Sequence, residues 1–224
     1  VVSVLIGCSS PEAVPIHPEF SFTAEQLNEL TIGLPESVAA AIKANPAGFL
    51  ERIKDVLPIP EELFILADKQ NDIGEEYVPG DLVVLDDYDL VVNRRGLSLR
   101  EIAMPDVLAM NKAADMDGVT LVYSSAYRSY SYQKQVYERN VRQLGREQAD
   151  RESAKPGTSQ HQLGTPIDFG SITDDFAFTD AGKWLLKNAW EYGFSLSYPD
   201  GYEELTGYRH VIWHYRYISR PATV

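Results

Sequence analysis

The chain of 224 residues contains few sulfur-containing residues and few histidines: one cysteine, three methionines and four histidines. A single cysteine excludes an intramolecular disulfide. No apolar run reaches the length of about 20 residues that a membrane-spanning helix needs, and internal repeats and low-complexity tracts are absent. Because 44% of the residues are hydrophobic and 24% are charged, the composition predicts one globular domain with an accessory segment rather than a disordered chain.

Positive charge is also scarce. The chain has 20 lysines and arginines against 33 acidic residues, which gives a formal net charge of −13. Nonspecific binding to nucleic acid requires clustered basic side chains that neutralise phosphates. Attraction to anionic lipid has the same requirement. We therefore expect no nucleic-acid partner and no membrane attachment through a basic patch.

The one cysteine lies in the segment Leu5-Ile6-Gly7-Cys8-Ser9-Ser10, which resembles a bacterial lipobox. That resemblance implies that residues 1–6 are the end of a secretory signal and that Cys8 carries a lipid. The first basic residue is Lys43, so we expect the positive start of such a signal to lie upstream of Val1. The alternative is a short apolar strand with a buried cysteine. The lipobox predicts an extracytoplasmic protein that meets a membrane only through the anchor on Cys8.

Local patterns divide the rest of the chain into three predicted parts. Residues 1–22 form the signal remnant, the lipobox and a proline-containing tether. Residues 23–63 form a helical segment, with a capping box at Thr23 to Gln26 and further helices over Pro35–Ala44 and after Pro46. Residues 64–220 form the main domain. The helical segment carries no recognisable chemistry.

The main domain alternates between helical and extended patterns. The strands are predicted at Asp81–Leu85, Val119–Tyr123 and Tyr208–Ile218. The helices are predicted after Pro105, over Tyr132–Leu144 and from Thr179, and a polar surface loop covers Arg146–Gly157. This order predicts an α+β fold with a small antiparallel sheet backed by helices.

Three polar residues are candidate metal ligands. His161 and Asp168 lie close together in the sequence, and His214 follows at a distance. Two imidazoles and one carboxylate suit a catalytic zinc, which keeps a fourth position for water. Spacing alone favours the alternative that these are hydrogen-bonded polar residues in a metal-free core.

Three segments in order give these candidates a context. They are Ser124–Tyr130 with Gln133 after it, Ser159–Asp168, and Trp213–Tyr217. They resemble the S-x-Y-R-S-x-x-x-Q, S-x-H-x-x-G-x-A-x-D and W-H-x-R-Y segments of the VanY-like D-alanyl-D-alanine carboxypeptidases. Those proteins are zinc peptidases that trim peptidoglycan stems. The resemblance covers roughly residues 64 to 219.

The resemblance implies a fold, a cofactor and a substrate. It implies a hedgehog/D-Ala-D-Ala peptidase-like domain that binds Zn²⁺ through His161, Asp168 and His214, and we expect this protein to be a monomer. It also implies that Arg128 holds the C-terminal carboxylate of a stem peptide ending in D-alanine, with Ser159 beside it. Arg128 could instead form a surface ion pair, and Ser159 could stabilise a turn. Gln133 either lines the pocket or braces its loop.

One position departs from the family pattern. The family places a glutamate, its general base and acid, three residues before the last histidine ligand, and here that residue is Val211, followed by Ile212 in place of proline. Glu203, Glu204 and His210 are the residues that could replace this glutamate as general base. The sequence therefore predicts a zinc carboxypeptidase in which the position of the family's catalytic glutamate is occupied by Val211. The alternatives are a relative that binds zinc and cell-wall peptides without efficient hydrolysis, and a structural lipoprotein that has lost the metal.

Overall fold

The computed structural model describes residues 14–223, so Cys8 and the lipobox lie outside the described residues. The chain divides into two compact units between Pro58 and Ile59. The sequence places this division after residue 63. The difference arises because Leu63, which is 1% exposed, belongs to the core of the second unit.

The first unit contains the three helices that the sequence predicts. They are α1 (Ala24–Leu30), α2 (Glu36–Ala44) and α3 (Pro46–Val56). The predicted capping box is confirmed, because the Thr23 hydroxyl accepts from the Gln26 amide at 3.2 Å and the Gln26 side chain accepts from the Thr23 amide at 3.0 Å. A small core of Leu27, Ile42 and Leu50 holds the helices together.

The second unit contains two sheets, and their seven strands are short. The strands are β1 (Leu82–Val84), β2 (Val91–Val92), β3 (Ser98–Arg100), β4 (Val122–Ser125), β5 (Pro166–Phe169), β6 (Phe194–Leu196) and β7 (His214–Tyr217). β1 and β3 form an antiparallel pair, and the larger sheet has the order β2-β4-β5-β7-β6. Within it only the edge pair β2–β4 is parallel. The predicted α+β fold with a small antiparallel sheet is confirmed.

The second unit also contains five α-helices. They are α4 (Met104–Met116), α5 (Tyr130–Leu144), α6 (Arg146–Glu152), α7 (Asp180–Asn188) and α8 (Glu203–Thr206). Single-turn 3-10 helices occupy Glu61–Phe64, Leu85–Asp87, Glu101–Ala103, Gln160–Leu163, Asp174–Phe178, Ala189–Tyr192 and Arg220–Ala222. No helix within residues 14–223 is long and apolar enough to cross a membrane.

Two predictions of local structure were wrong. The predicted loop at Arg146–Gly157 begins with helix α6, which is held by tertiary contacts: Ala149 is fully buried and the Tyr137 hydroxyl donates to Asp150 at 2.5 Å. The predicted strand at Tyr208–Ile218 is regular only over β7. Ile212 and Trp213 are adjacent and both buried, so this segment lacks the alternation that a half-buried strand requires.

The main core lies between α4 and one face of the larger sheet. Val107, Met110 and Ala114 of α4 are fully buried, as are Ile167 and Phe169 of β5. Successive side chains of a strand point to opposite faces. When Ile167 and Phe169 face the core, the residue between them, Asp168, is directed to the other face.

Met110 gives a direct test of this core. We expect Met110→Ala to lower the free energy of unfolding by about 2–5 kcal/mol, because it removes buried methylenes and leaves a cavity. Met116→Ala is the matched control on the same helix, since Met116 is 79% exposed. Urea unfolding followed by circular dichroism measures both. Equal losses for the two variants would contradict the placement of α4.

Candidate functional site

Three buried side chains form a cluster that could hold a metal ion. His161 lies in the 3-10 helix Gln160–Leu163, Asp168 in β5 and His214 in β7. Their ligand atoms all lie within 4.8 Å of one another. His161 Nε2 is 3.1 Å from Asp168 Oδ2, and His214 Nδ1 is 2.8 Å from Asp168 Oδ1. The structure thus brings together the three predicted ligands.

Backbone geometry explains why these residues meet. Asp168 and His214 are direct partners in the antiparallel register of β5 and β7, so their side chains lie next to each other on one face. Gly164 ends the 3-10 helix with φ of 69°. This left-handed conformation is one that glycine adopts without strain. It allows the chain to turn from His161 into β5 within a few residues.

The hydrogen bonds of His161 indicate which nitrogen is free for a metal. Nδ1 lies 2.7 Å from the Ala126 carbonyl oxygen, which can only accept, so Nδ1 carries the proton. Burial lowers the pKa of His161 to about 4, so the ring is neutral at pH 7 and Nε2 presents a lone pair.

Nε2 then faces a carboxylate oxygen with no proton between them. Burial raises the pKa of Asp168, but the imidazoles of His161 and His214 lower it more, to below its usual range. A neutral imidazole lone pair and an ionised carboxylate at 3.1 Å are both acceptors. A bound cation would satisfy both atoms, and this donor set therefore fits a metal such as zinc.

Arg128 lies beside this cluster rather than in a surface ion pair. Its side chain is 14% exposed, and Nη2 is 3.9 Å from Asp168 Oδ2. Nη1 donates to Gln133 Oε1 at 2.7 Å, Nη2 donates to Ser125 Oγ at 3.1 Å, and Nε is buried without a partner among the described residues. Burial lowers the pKa of Arg128, and Asp168 opposes this shift. The guanidinium thus retains capacity to bind an anion.

The other two predicted binding residues support this arrangement. Gln133 is fully buried and donates to the Ala154 carbonyl at 2.6 Å, so it links Arg128 to the segment after α6. Ser159 Oγ accepts from the His161 amide at 3.3 Å and caps the 3-10 helix. Both residues also line the cavity described next. Gln133 therefore combines its two predicted roles, and Ser159 has the contact of a turn-stabilising hydroxyl.

One cavity of about 480 Å³ contains the metal-ligand cluster and Arg128. Val211 lines it while packing, half-buried, against the core. Tyr198 forms another part of the wall, with its ring 5.1 Å from the ring of His214, and burial raises the pKa of Tyr198. Val211 thus faces the same space as the three candidate metal ligands.

The cavity is not lined by the residues that the sequence offered as an alternative general base, namely Glu203, Glu204 and His210. Glu203 is bound by Arg151 at 2.8 Å, and Glu204 is exposed next to it in α8. His210 is exposed and contacts the Tyr198 carbonyl through Nδ1 at 2.9 Å. His210 also lies outside β7.

One acidic residue of the cavity was missed by sequence reasoning. Among residues 14–223, Asp168 and Glu152 are the acidic side chains that line it. Glu152 ends α6, and its Oε1 lies 3.7 Å from Arg209 Nε. The sequence carried no signal for Glu152, because α6 was predicted as a surface loop.

Comparison with known proteins identifies the family. The family model described as VanY, D-alanyl-D-alanine carboxypeptidase, matches residues 96–220, which is more than half of the chain. The chain belongs to the VanY family. Within this family it is 34% identical over 172 residues to YodJ of Bacillus subtilis (strain 168), a protein named as a carboxypeptidase. It is 32% identical over 163 residues to a D-alanyl-D-alanine carboxypeptidase of Enterococcus faecium.

These matches cover the larger part of this chain but not the whole of the relatives. They span 73% of this chain and 62% of YodJ, and 70% of this chain and 51% of the Enterococcus faecium protein. The chain therefore covers less than two thirds of either relative. Family membership is established by the matched domain.

Solved structures show the same fold. The LdcB LD-carboxypeptidase superposes with a TM-score of 0.67 at 32% identity, covering 73% of this chain and 80% of that one. VanYB in complex with D-alanine-D-alanine superposes with a TM-score of 0.62 at 28% identity, covering 73% of this chain and 90% of that one. A VanY mutant in complex with Zn(II) gives a TM-score of 0.60 at 29% identity, covering 73% and 92%. The predicted peptidase-like fold is confirmed.

The Gln133 contacts predict a measurable effect on stability. We expect Gln133→Ala to lower the free energy of unfolding by about 1–3 kcal/mol, because the buried Arg128 guanidinium and the Ala154 carbonyl each lose a partner. Gln143→Ala is the control on the same helix, since Gln143 is exposed. Urea unfolding measures both variants, and a Gln133→Ala variant as stable as the control would refute the role of this link.

Proposed function

We propose that the protein is an extracytoplasmic, zinc-dependent D-alanyl-D-alanine carboxypeptidase-like protein that acts on peptidoglycan stem peptides ending in D-alanine. The observation that carries this proposal is one cavity that contains three buried metal-ligating side chains next to a buried arginine. A carboxypeptidase needs both, because it must hold a free C-terminus beside the group that activates the scissile carbonyl.

Zinc is the proposed cofactor. His161 would bind it through Nε2, together with the Asp168 carboxylate and the His214 imidazole, and these three ligands match the usual protein share of a catalytic zinc site. Zinc in such a site polarises a carbonyl and lowers the pKa of bound water to about 7. The Ala126 carbonyl fixes the His161 ring in the orientation that this binding requires. The VanY relative solved with Zn(II) supports the choice of metal.

Arg128 would hold the carboxylate of the peptide. A guanidinium presents a planar set of donors that matches a carboxylate with two hydrogen bonds. Gln133 and Ser125 hold the guanidinium by hydrogen bonds, and Nη2 lies 3.9 Å from Asp168 Oδ2, so a carboxylate bound by Arg128 would lie close to the metal ligands. The VanYB complex with D-alanine-D-alanine supports a D-alanine-terminated ligand.

Val211 favours a second candidate function. A valine cannot transfer a proton, and general acid–base catalysis typically contributes about 10² to 10⁴ in rate. The metal ligands and Arg128 do not depend on that position, so binding of zinc and of cell-wall peptides would survive its loss. The second candidate is thus a relative that binds these ligands without efficient hydrolysis.

The proposed location rests on the sequence. A lipid on Cys8 would anchor the protein outside the cytoplasm, where peptidoglycan is accessible, and we propose that the protein acts there as a monomer. Cys8 lies outside the described residues, so the proposed location rests on the lipobox sequence alone.

D-Alanine release separates the two candidates. We expect zinc-loaded protein to release D-alanine slowly from a stem pentapeptide, and a zinc chelator to abolish the release. A tetrapeptide substrate distinguishes D,D from L,D specificity, which the similarity to an LD-carboxypeptidase makes relevant. Release of D-alanine would make Glu152 the first residue to test as the general base. No release from protein that contains zinc and binds the peptides would establish the binding function.

Metal content provides the control for this experiment. Elemental analysis should give about one zinc per chain in the wild-type protein and in His210→Ala, whose side chain is exposed and lies outside the cavity. His161→Ala and Asp168→Ala should each lose most of the metal. Full zinc content in both ligand variants would exclude the proposed site.

Restoring a carboxylate tests the role of position 211. We expect Val211→Glu to raise turnover by about 10²- to 10⁴-fold, because it returns a general base to the cavity wall. Val211→Gln is the matched control, since glutamine has nearly the same size but no basic carboxylate. Initial rates of D-alanine release at equal zinc content are the measurement. Equal rates for the two variants would mean that the rest of the site has also lost competence.

A further inference from the structure

Each of the two ring nitrogens of His214 faces an oxygen atom. Nδ1 lies 2.8 Å from Asp168 Oδ1, and Nε2 lies 3.0 Å from Gln160 Oε1. Both separations are those of hydrogen bonds. A rotation of the ring by 180° would place carbon atoms against both oxygens. The two contacts therefore fix which edge of the imidazole faces Asp168.

A neutral imidazole cannot satisfy both oxygens, because it carries one N–H and donates to one of them. With the proton on Nδ1, the ring donates to Asp168 and has no lone pair on that side. With the proton on Nε2, the ring donates to Gln160, and Nδ1 presents its lone pair towards Asp168. The position of this proton therefore decides whether His214 can bind a metal together with Asp168.

Nδ1 is the nitrogen of His214 that is turned towards the other candidate ligands. It faces the Asp168 carboxylate, whose second oxygen lies 3.1 Å from His161 Nε2. Nε2 of His214 points away from this carboxylate and is covered by the Gln160 amide. A metal shared by the three side chains would therefore meet His214 at Nδ1, which requires the proton to be on Nε2.

Gln160 connects two of the candidate ligands. It directly precedes His161 in the 3-10 helix Gln160–Leu163, and its side chain reaches His214 on β7. Ser159 caps this helix, since its hydroxyl accepts from the His161 amide. The element that carries one ligand thus also contacts the outer nitrogen of another.

Ser197 holds the amide of Gln160 in place. The Ser197 hydroxyl donates to Gln160 Oε1 at 2.8 Å, and the Ser197 amide donates to the His214 carbonyl at 3.2 Å. An amide oxygen has two lone pairs, so Oε1 can accept from Ser197 and from His214 at the same time. With the amide reversed, its NH₂ group would face His214 Nε2 and would favour the proton on Nδ1 instead.

We propose that Gln160 is a positioning residue of the metal site: its Oε1 accepts the proton of His214 Nε2 and thereby presents the Nδ1 lone pair to the metal. This inference rests on the proposed function in one respect, namely that zinc is bound by His161, Asp168 and His214. The two histidines then use opposite nitrogens, since His161 donates from Nδ1 to the Ala126 carbonyl and would bind through Nε2.

Zinc affinity tests the role of Gln160. We expect Gln160→Leu, which is similar in size but has no acceptor, to weaken zinc binding by about 10- to 100-fold, as loss of a hydrogen-bond partner of a metal ligand typically does. Gln160→Glu should bind zinc at least as tightly as the wild-type protein, because a carboxylate also accepts from Nε2. Gln143→Leu is the matched control at an exposed position and should leave the affinity unchanged. Competition with a chromophoric chelator measures Kd.

The position of the proton gives a second readout, which depends neither on affinity nor on activity. Nitrogen-15 NMR of the zinc-loaded wild-type protein should show the His214 proton on Nε2 and the His161 proton on Nδ1. In Gln160→Leu at saturating zinc, the His214 Nε2 proton should exchange faster with water, because it has lost its acceptor. The His161 proton should be unaffected, since the Ala126 carbonyl still accepts it.

The outcomes separate this inference from the proposed function. Wild-type affinity in Gln160→Leu, an equal loss in the Leu and Glu variants, or a His214 proton on Nδ1 in the zinc-loaded protein each overturns the role of Gln160 and leaves the zinc site in place. Failure of the wild-type protein to bind zinc rejects the site and the inference together. The expected affinities and proton positions support the inference whether or not the protein releases D-alanine.

Discussion

The antiparallel pairing of β5 with β7 is the constraint on which the site depends. Because Asp168 and His214 are opposite each other in the register, one pairing places both ligands on the same face. The alternation of the strand then directs Ile167 and Phe169 into the core behind them. A shift of register by one residue would exchange the two faces. Burial of the apolar residues therefore also fixes the positions of the ligands.

This arrangement has an electrostatic cost that a cation would reduce. An ionised carboxylate buried beside two imidazoles requires compensation, since an uncompensated buried charge is strongly unfavourable. Hydrogen bonding from His214 supplies part of it, and Arg128 lies 3.9 Å away. The facing acceptors of His161 and Asp168 remain, and they explain why this set of side chains fits a metal better than a metal-free polar core.

Val211 lies in a different structural element from the three candidate metal ligands, although all four residues line one cavity. Its side chain belongs to the irregular segment before β7 and contacts the core, whereas the ligands lie on regular strands and on a capped 3-10 helix. The register of β5 with β7 and the hydrogen bonds of Arg128 do not involve the side chain of Val211. The positions of the three candidate ligands and of Arg128 therefore do not depend on which residue occupies position 211.

The sequence by itself determined the parts of this protein that depend on local interactions. The capping box at Thr23, the α+β class and the motifs containing His161, Asp168 and His214 could all be read from neighbouring residues. Tertiary structure alone decided α6, which has a buried Ala149 and a hydrogen bond from Tyr137, and the irregular path before β7. It also decided that Glu152 lines the same cavity as Asp168 and Arg128. These residues are far apart in the chain, and only long-range packing brings their charges together.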